Sequence, residues 1–172
     1  MKDRLDYLEK QNNKLKSEVQ ELRKVIKSYK YDDLTGLLRR ADFNTRIDEM
    51  WHAYEEFKHH FMIAMIDLNG LHELNRKPEL GGFEAGDEFI QRVANRLKDL
   101  FSDSTIFRIG GDEFIVLKQG SDIEDFNSKL TKVEDCEVGS TFTSGDLVFT
   151  DHTEMFIYVD AEIIDKKPAK RN

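Results

Sequence analysis

In FRIGGDEF, residues 107–114, two glycines and two carboxylates stand between apolar runs. Adjacent Asp112 and Glu113 at a turn suggest the chemistry of a cation site, because carboxylates crowded at the end of a strand are costly unless water or a metal ion neutralises them. A third carboxylate, Asp67, closes the apolar run FMIAMID, residues 61–67. Whether the three meet depends on the elements that carry them.

STIFRI and FIVLKQ (104–109 and 114–119) read as two strands joined by GGDE, with Gly110 and Gly111 expected to supply the positive φ angles of a tight hairpin. FMIAMIDLN reads as a buried strand ending at Asp67, and Phe89, Ile90, Val93, Leu97 and Leu100 mark an amphipathic helix over 87–101. Phe43, Ile47, Met50, Tyr54 and Phe57, with Trp51 beside them, recur at helical spacing as core residues. A further helix (Ile123, Phe126, Leu130, Val133) precedes a strand around 137–143, and beyond Gly145 the pattern assigns no element. The order β-α-β-β-α-β is a ferredoxin-like α+β plan. A right-handed crossover makes the strand ending at Asp67 parallel to STIFRI, with FIVLKQ antiparallel between them. Asp67, Asp112 and Glu113 then share one edge of the sheet, where Mg2+ held by one or two carboxylates plus substrate phosphates is the natural occupant. On the residues alone, an ordinary acidic hairpin tip explains them too, since turns favour Gly and Asp.

Ahead of this domain, Leu5, Leu8, Asn12, Leu15, Val19, Leu22, Ile26 and Tyr29 fall at alternating spacings of three and four. With Leu5 at heptad position a, leucine fills three d positions and Asn12 an a position, the pattern of a parallel two-stranded coiled coil over residues 5–29. The pairs Arg4 with Glu9 and Glu18 with Arg23 are attractive across such a dimer. No basic region precedes the heptads, which argues against a DNA-binding zipper. The heptads break in SYKYDDLTGLLRR (28–40), so the organisation expected is a coiled coil over 1–30 and a globular domain over 31–172.

A formal charge of -8 and a pI near 5.2 argue against a nucleic-acid surface, but not against a small phosphorylated ligand that brings its own metal. FMIAMI is too short for a membrane span and MKDRLDYLEK too charged for a signal peptide, so a cytoplasmic protein without membrane association is expected. Cys136 stands alone, excluding an intramolecular disulfide, and reads as a small buried thiol.

RIGGDEF (108–114) and DDLTGLLRR (32–40), with MIDLNGLHELN (65–75) and FEAGDEFI (83–90) in order between or beside them, resemble the GGDEF-domain diguanylate cyclases over roughly residues 31–120. The resemblance implies a cyclase palm-like α+β domain that condenses two GTP into cyclic di-GMP with release of two pyrophosphates. Each domain holds one GTP, so two must face each other, which gives the zipper a reason. By the same resemblance the metal ligands are Asp67, the carbonyl of Leu68, and Asp112, with Glu113 alongside, for Mg2+ or Mn2+. Asp112 is also the proton acceptor. Asn75 and Asp87 match the pair that reads guanine, although Asp87 also suits a helix N-cap before EFIQRVANRL. Backbone amides from Asn69 through Leu71 to His72 cradle phosphates, and Lys167 and Arg171 match phosphate-gripping basic residues, a role that competes with a solvated tail.

Several positions depart from the family pattern. His72 stands in the catalytic set where a phosphate-contacting lysine is usual, Asn69 replaces a common aspartate, and Arg76 another. KPELGGF (77–83) lengthens a loop and puts Phe83 at a usual histidine. The R-x-x-D inhibitory site of many members reads Phe101, Ser102, Asp103 and Ser104, which leaves Asp103 to solvate a turn. Alternatives to an active homodimeric cyclase are a degenerate nucleotide-binding scaffold without catalysis and a cyclase of altered base choice.

Overall fold

The computed structural model describes residues 2–144 and 147–166. A long helix α1 (Lys2–Lys30) leads into the strand β1 (Leu38–Arg39) and helix α2 (Arg40–Phe57). The buried run forms β2 (Phe61–Leu68), followed by the short α3 (Leu71–Arg76), a 3-10 turn (Pro78–Leu80) and α4 (Gly82–Leu100). Then come β3 (Thr105–Arg108), β4 (Glu113–Gln119), α5 (Ile123–Leu130), β5 (Cys136–Phe142) and α6 (His152–Lys166).

The sheet order is β1-β3-β4-β2-β5. As expected, β4 lies between β3 and β2 and runs antiparallel to both. β5 pairs antiparallel with the other side of β2, and β1 adds a parallel edge to β3. All eight residues of β2 are buried because helices cover both faces of the sheet. Met62, Ala64, Ile66 and Leu68 pack with Phe89, Ile90, Val93 and Leu97 of α4 and Phe126 of α5. Phe61, Ile63 and Met65 pack with Phe43, Ile47, Met50 and Trp51 of α2 and with Met155, Val159 and Ile163 of α6. By the period of two, Asp67 belongs to the α2 and α6 face.

The structure corrects the sequence reading at several elements. Phe57, taken as core, is exposed at the last turn of α2. α4 starts five residues before Asp87, and its N-cap is Gly81, so Asp87 lies in the second turn and caps nothing. β1, α3 and α6 were not anticipated. α6 is nonetheless written in the sequence, since Met155, Val159 and Ile163 repeat every four residues.

The heptad stripe of α1 lies bare: Leu8, Leu15, Val19, Leu22, Ile26 and Tyr29 are each at least 46% exposed. α1 joins the domain through its end, where Arg39 Nε donates to the Tyr31 carbonyl at 2.7 Å and Lys30 lies 3.9 Å from Asp42. The DDLT turn that follows has a defined purpose. Asp32 Oδ1 accepts from the Thr35 amide (3.0 Å), the Thr35 hydroxyl (2.7 Å) and Arg108 Nη1 (3.0 Å), while Arg108 Nη2 donates to the Gly111 carbonyl at 2.7 Å. The turn thus clamps the GGDEF hairpin through one arginine.

Burial alone would raise the pKa of Asp32, but hydrogen bonds from Thr35 and Arg108 outweigh it and hold the carboxyl below its ordinary 3.8. A depressed folded pKa means that the stabilisation is present above the ordinary value and is lost as pH falls through the lower, folded one. Asp32→Asn is therefore expected to cost about 2 kcal/mol at neutral pH, the scale of hydrogen bonds to a charged group. Thermal unfolding of the two proteins along a descending pH series checks this, with the gap closing at the acid end.

Candidate active site

Asp67 is paired on both sides by another carboxylate. It lies opposite Glu113 on β4 and opposite Glu137 on β5, and directly opposed residues of an antiparallel pair share a face. Like charges so placed repel, and Asp67 is only 7% exposed. The Leu68 amide donates to the Asp112 carbonyl at 2.9 Å, which ties the end of β2 to the hairpin. Burial raises the pKa of Glu113; Arg40 opposes this, while Asp112, Asp67 and Asp160 of α6 add to it. Arg40 lies 3.6 Å from the Glu113 carboxylate and donates through Nε to the Ile109 carbonyl at 3.0 Å. Arg40 thus sets one positive charge against the Glu113 carboxylate at this strand end.

Such a donor set fits a hard divalent cation. Among the described residues no three His, Cys, Asp or Glu side chains converge on a common point, so an all-protein cage is absent. An ion here would take one or two carboxylates and a main-chain carbonyl such as that of Leu68, and complete its shell with substrate oxygens and water.

The hairpin glycines differ from expectation. Neither Gly110 nor Gly111 is among the glycines with positive φ. The turn closes with the Ile109 amide donating to the Glu113 carbonyl at 2.9 Å, and a Cβ on Gly110 would collide with the Glu113 carboxylate. The first glycine is thus needed for the close approach of Glu113. A Cβ on Gly111 would meet nothing within 4 Å, leaving open space at the tip.

Across the site, Asn75 ends α3 against α4. Its side-chain amide occupies the place where Gly86 would carry a Cβ, and its buried Oδ1 has no hydrogen-bond partner among the described residues. An unpaired buried amide oxygen costs about 1–3 kcal/mol. Asp87 follows Gly86 on α4, exposed to solvent.

On the phosphate side the expected cradle shifts. The Asn69 amide is committed to the Asp135 carbonyl (2.9 Å) and its side chain donates to Glu137 (3.3 Å). Leu71 packs its side chain into the core, so only its backbone faces a ligand. Within α3 the Leu74 amide donates to the Gly70 carbonyl at 3.0 Å. The amides of Leu71, His72 and Glu73 precede that first helical bond and have no carbonyl one turn earlier. His72 is exposed on this turn. Lys167 and Arg171 lie outside the described residues. The sequence reading missed Glu137, Arg40 and Asp160. The signal for Glu137 was the pairing of β5 with β2, which a single sequence does not specify.

The positions of the R-x-x-D site are otherwise engaged. Phe101 is buried with its ring 5.5 Å from that of Phe126. Asp103, expected only to solvate a turn, pairs with the mostly buried Lys118 at 2.9 Å, and Asp125 pairs with the same amine at 3.0 Å. Cys136, expected to be buried, is half-buried, and burial, then Glu137 and Asp135, push its thiol up to about 11. A cavity of about 750 Å3 runs beside the outer edge of β5 and reaches the carboxylate row through Glu137. Its lining holds neither Asp67 nor the hairpin, so we place the site at the strand end instead.

A family profile described as "Diguanylate cyclase, GGDEF domain" matches residues 29–136. The chain belongs to the GGDEF family. Diguanylate cyclase DgcP of Escherichia coli (strain K12) is 28% identical over 141 residues, 80% of this chain and 40% of that protein. Diguanylate cyclase VdcA of Vibrio cholerae is 31% identical over 99 residues, 57% of this chain and 27% of that protein. The chain thus spans less than half the length of these relatives. Among solved structures, the coiled coil and GGDEF domain of DgcB from Caulobacter crescentus, in complex with c-di-GMP, matches with a TM-score of 0.75 at 20% identity, covering 95% of this chain and 96% of that one. The FimX GGDEF domain from Pseudomonas aeruginosa matches at 0.68 with 18% identity, covering 79% and 92%. At these identities the structural likeness establishes the fold, an α+β GGDEF domain behind a coiled-coil-type helix.

In this GGDEF domain, Gly86→Ala separates site from fold. The new methyl meets the far ends of two side chains, the Asn75 amide and, at 3.3 Å, Leu71 Cδ1, while alanine favours the helix by roughly 0.5–1 kcal/mol. The expected outcome is a Tm within a few degrees of the unmodified protein, with the Asn75 side-chain amide resonances clearly displaced in NMR spectra. A large fall in Tm instead would mean that α3 cannot yield.

Proposed function

We propose that the protein is a diguanylate cyclase that condenses two GTP into cyclic di-GMP with release of two pyrophosphates. It works as a parallel homodimer through residues 5–29, with residues 31–172 forming the catalytic domain. The observation that carries this reading is the alignment of Asp67 with Glu113, with Asp112 tied to Leu68 beside them, on the same domain as Asn75, packed at Gly86, and its neighbour Asp87. The family membership and the relatives named diguanylate cyclase support it.

Asp67, Asp112, Glu113 and the Leu68 carbonyl would hold Mg2+ or Mn2+. When bound, the ion neutralises the α-phosphate and lowers the pKa of the ribose 3'-hydroxyl. Asp87 accepts from the N1 and N2 donors of guanine, so a base lacking them leaves a carboxylate unpaired. The Asn75 amide completes the contact with the base edge. Leading amides of α3, at Leu71 and His72, face the phosphates, with His72 a weaker cation there than lysine. Lys167 and Arg171 are assigned to the same phosphates. The 3'-oxygen of one nucleotide attacks the α-phosphorus of the other in line, its proton passes to Asp112, and pyrophosphate leaves. A single domain holds only one of the two nucleotides. The bare stripe of α1 supplies the pairing, because a tethered partner experiences effective concentrations on the order of millimolar.

A nucleotide-binding scaffold without turnover is favoured by two observations, the exposed His72 and the commitment of Asn69 to Asp135 and Glu137. Turnover decides between the readings. Incubated with GTP, ATP and Mg2+, the protein is expected to give cyclic di-GMP and pyrophosphate by mass spectrometry, with no mixed dinucleotide. Asp112→Ala is expected to abolish the product while keeping the fold. Removing residues 1–29 is expected to make specific activity fall steeply on dilution. Bound GTP recovered unchanged would establish the scaffold.

A further inference from the structure

Phe83 is 77% exposed, although it starts a helix whose apolar stripe is otherwise well buried. That stripe, Phe89, Ile90, Val93, Ala94 and Leu97, faces the sheet, and the exposed positions beyond Phe83 are all polar, Glu84, Asp87, Glu88, Gln91 and Arg92 in the first three turns among them. The ring therefore does not belong to the core and has no apolar neighbours along its face of the helix. What it does have is Asp87 four residues on, one turn above it on the same face.

Against the adjoining face of α4 lies Asn75 of α3. The Asn75 carbonyl lies 4.0 Å from the point where Gly82 would bear a Cβ, and its side chain fills the equivalent place at Gly86. Gly82 and Phe83 are neighbours, as are Gly86 and Asp87. Asn75 therefore lies against the Gly82 and Gly86 face of the first two turns of α4, and Phe83 and Asp87 share the face next to it. Two of the three offer polar edges, and Asn75 still has a buried, unpartnered oxygen. The third offers a flat apolar face. The chain reaches this arrangement through the Pro78–Leu80 turn and two left-handed residues, Gly81 and Gly82, which deliver Phe83 at the helix start.

We propose that Phe83 is the stacking platform for the purine base at the start of α4, setting affinity while Asn75 and Asp87 set the choice of base. The proposal rests on the reading of Asn75 and Asp87 as the groups that meet the base edge. An aromatic ring stacks on any base, because every base has a π face, whereas a carboxylate distinguishes bases by their donors. Loss of the ring should then weaken different purine nucleotides by the same factor, an effect that loss of a hydrogen-bonding group does not have. The ring is solvent-exposed, so its replacement leaves the core intact.

Calorimetric titration of the full chain, in Mg2+, with a non-hydrolysable GTP analogue and with its inosine counterpart, which lacks the N2 amino group, tests this. Phe83→Ala is expected to weaken both about ten-fold, Phe83→Tyr and Phe83→Trp to restore both, and Phe83→Leu to restore neither. Rescue by leucine equal to that by tyrosine, or binding unchanged by Phe83→Ala, would overturn the stacking assignment and leave the nucleotide site standing. A fall in self-association by sedimentation with unchanged binding would assign Phe83 to contact between copies, and also overturn it. No binding by the unmodified protein would overturn both the platform and the reading on which it rests.

Discussion

The structure is organised around one unfavourable contact, the opposition of Asp67 and Glu113 across β2 and β4, with Glu137 opposite Asp67 on the other side. A strand buried on both faces is an expensive place to end in a carboxylate, and placing two more beside it adds repulsion. Departures of this kind from local consistency are where function is expected. The surrounding structure holds the contact in place. Arg40 supplies partial compensation from the start of α2, the Leu68 amide ties β2 to the Asp112 carbonyl, and Gly110 leaves room for the Glu113 carboxylate.

The same clamp connects the site to the leading helix. Arg39 reaches back to the carbonyl of Tyr31 at the end of α1, and the next residue, Asp32, holds Arg108, which holds the Gly111 carbonyl of the hairpin. The helix that would pair two domains and the hairpin that would carry their chemistry are thus joined by a few short hydrogen bonds. A chain that has to bring two nucleotides face to face needs both parts fixed to one frame.

Much of this was legible in the sequence, for physical reasons. β2, β3 and β4 were visible because continuous apolar runs ended at glycines and carboxylates, and the right-handed crossover then required β4 to lie in the middle. The meeting of Asp67 with Glu113 followed from that topology. The role of the hairpin glycines did not, because positive φ and close approach of a side chain leave the same residue in the sequence. Glu137 was invisible because its importance lies in a cross-strand register, not in a motif. Asp87 could be read as a helix cap until the helix start was found five residues earlier, at Gly82. Leu71 matched a substrate-contacting position, yet its side chain serves the core and only its backbone faces outward.

The central claim is that the opposed carboxylates form a cation site and not an acidic turn, and Glu113→Gln tests it most directly through thermal unfolding in chelator and in Mg2+. The folded pKa of Glu113 lies above its ordinary 4.5 through burial and the neighbouring Asp112 and Asp67, so its ionised form weakens the metal-free fold. The sign follows from linkage: the two proteins should be equally stable at acid pH, and the substituted one should become the more stable as pH rises through the raised value. With Mg2+ added at neutral pH, the unmodified protein should gain Tm by mass action and the substituted one should gain much less. A substituted protein that is less stable in chelator and responds fully to Mg2+ would contradict the account.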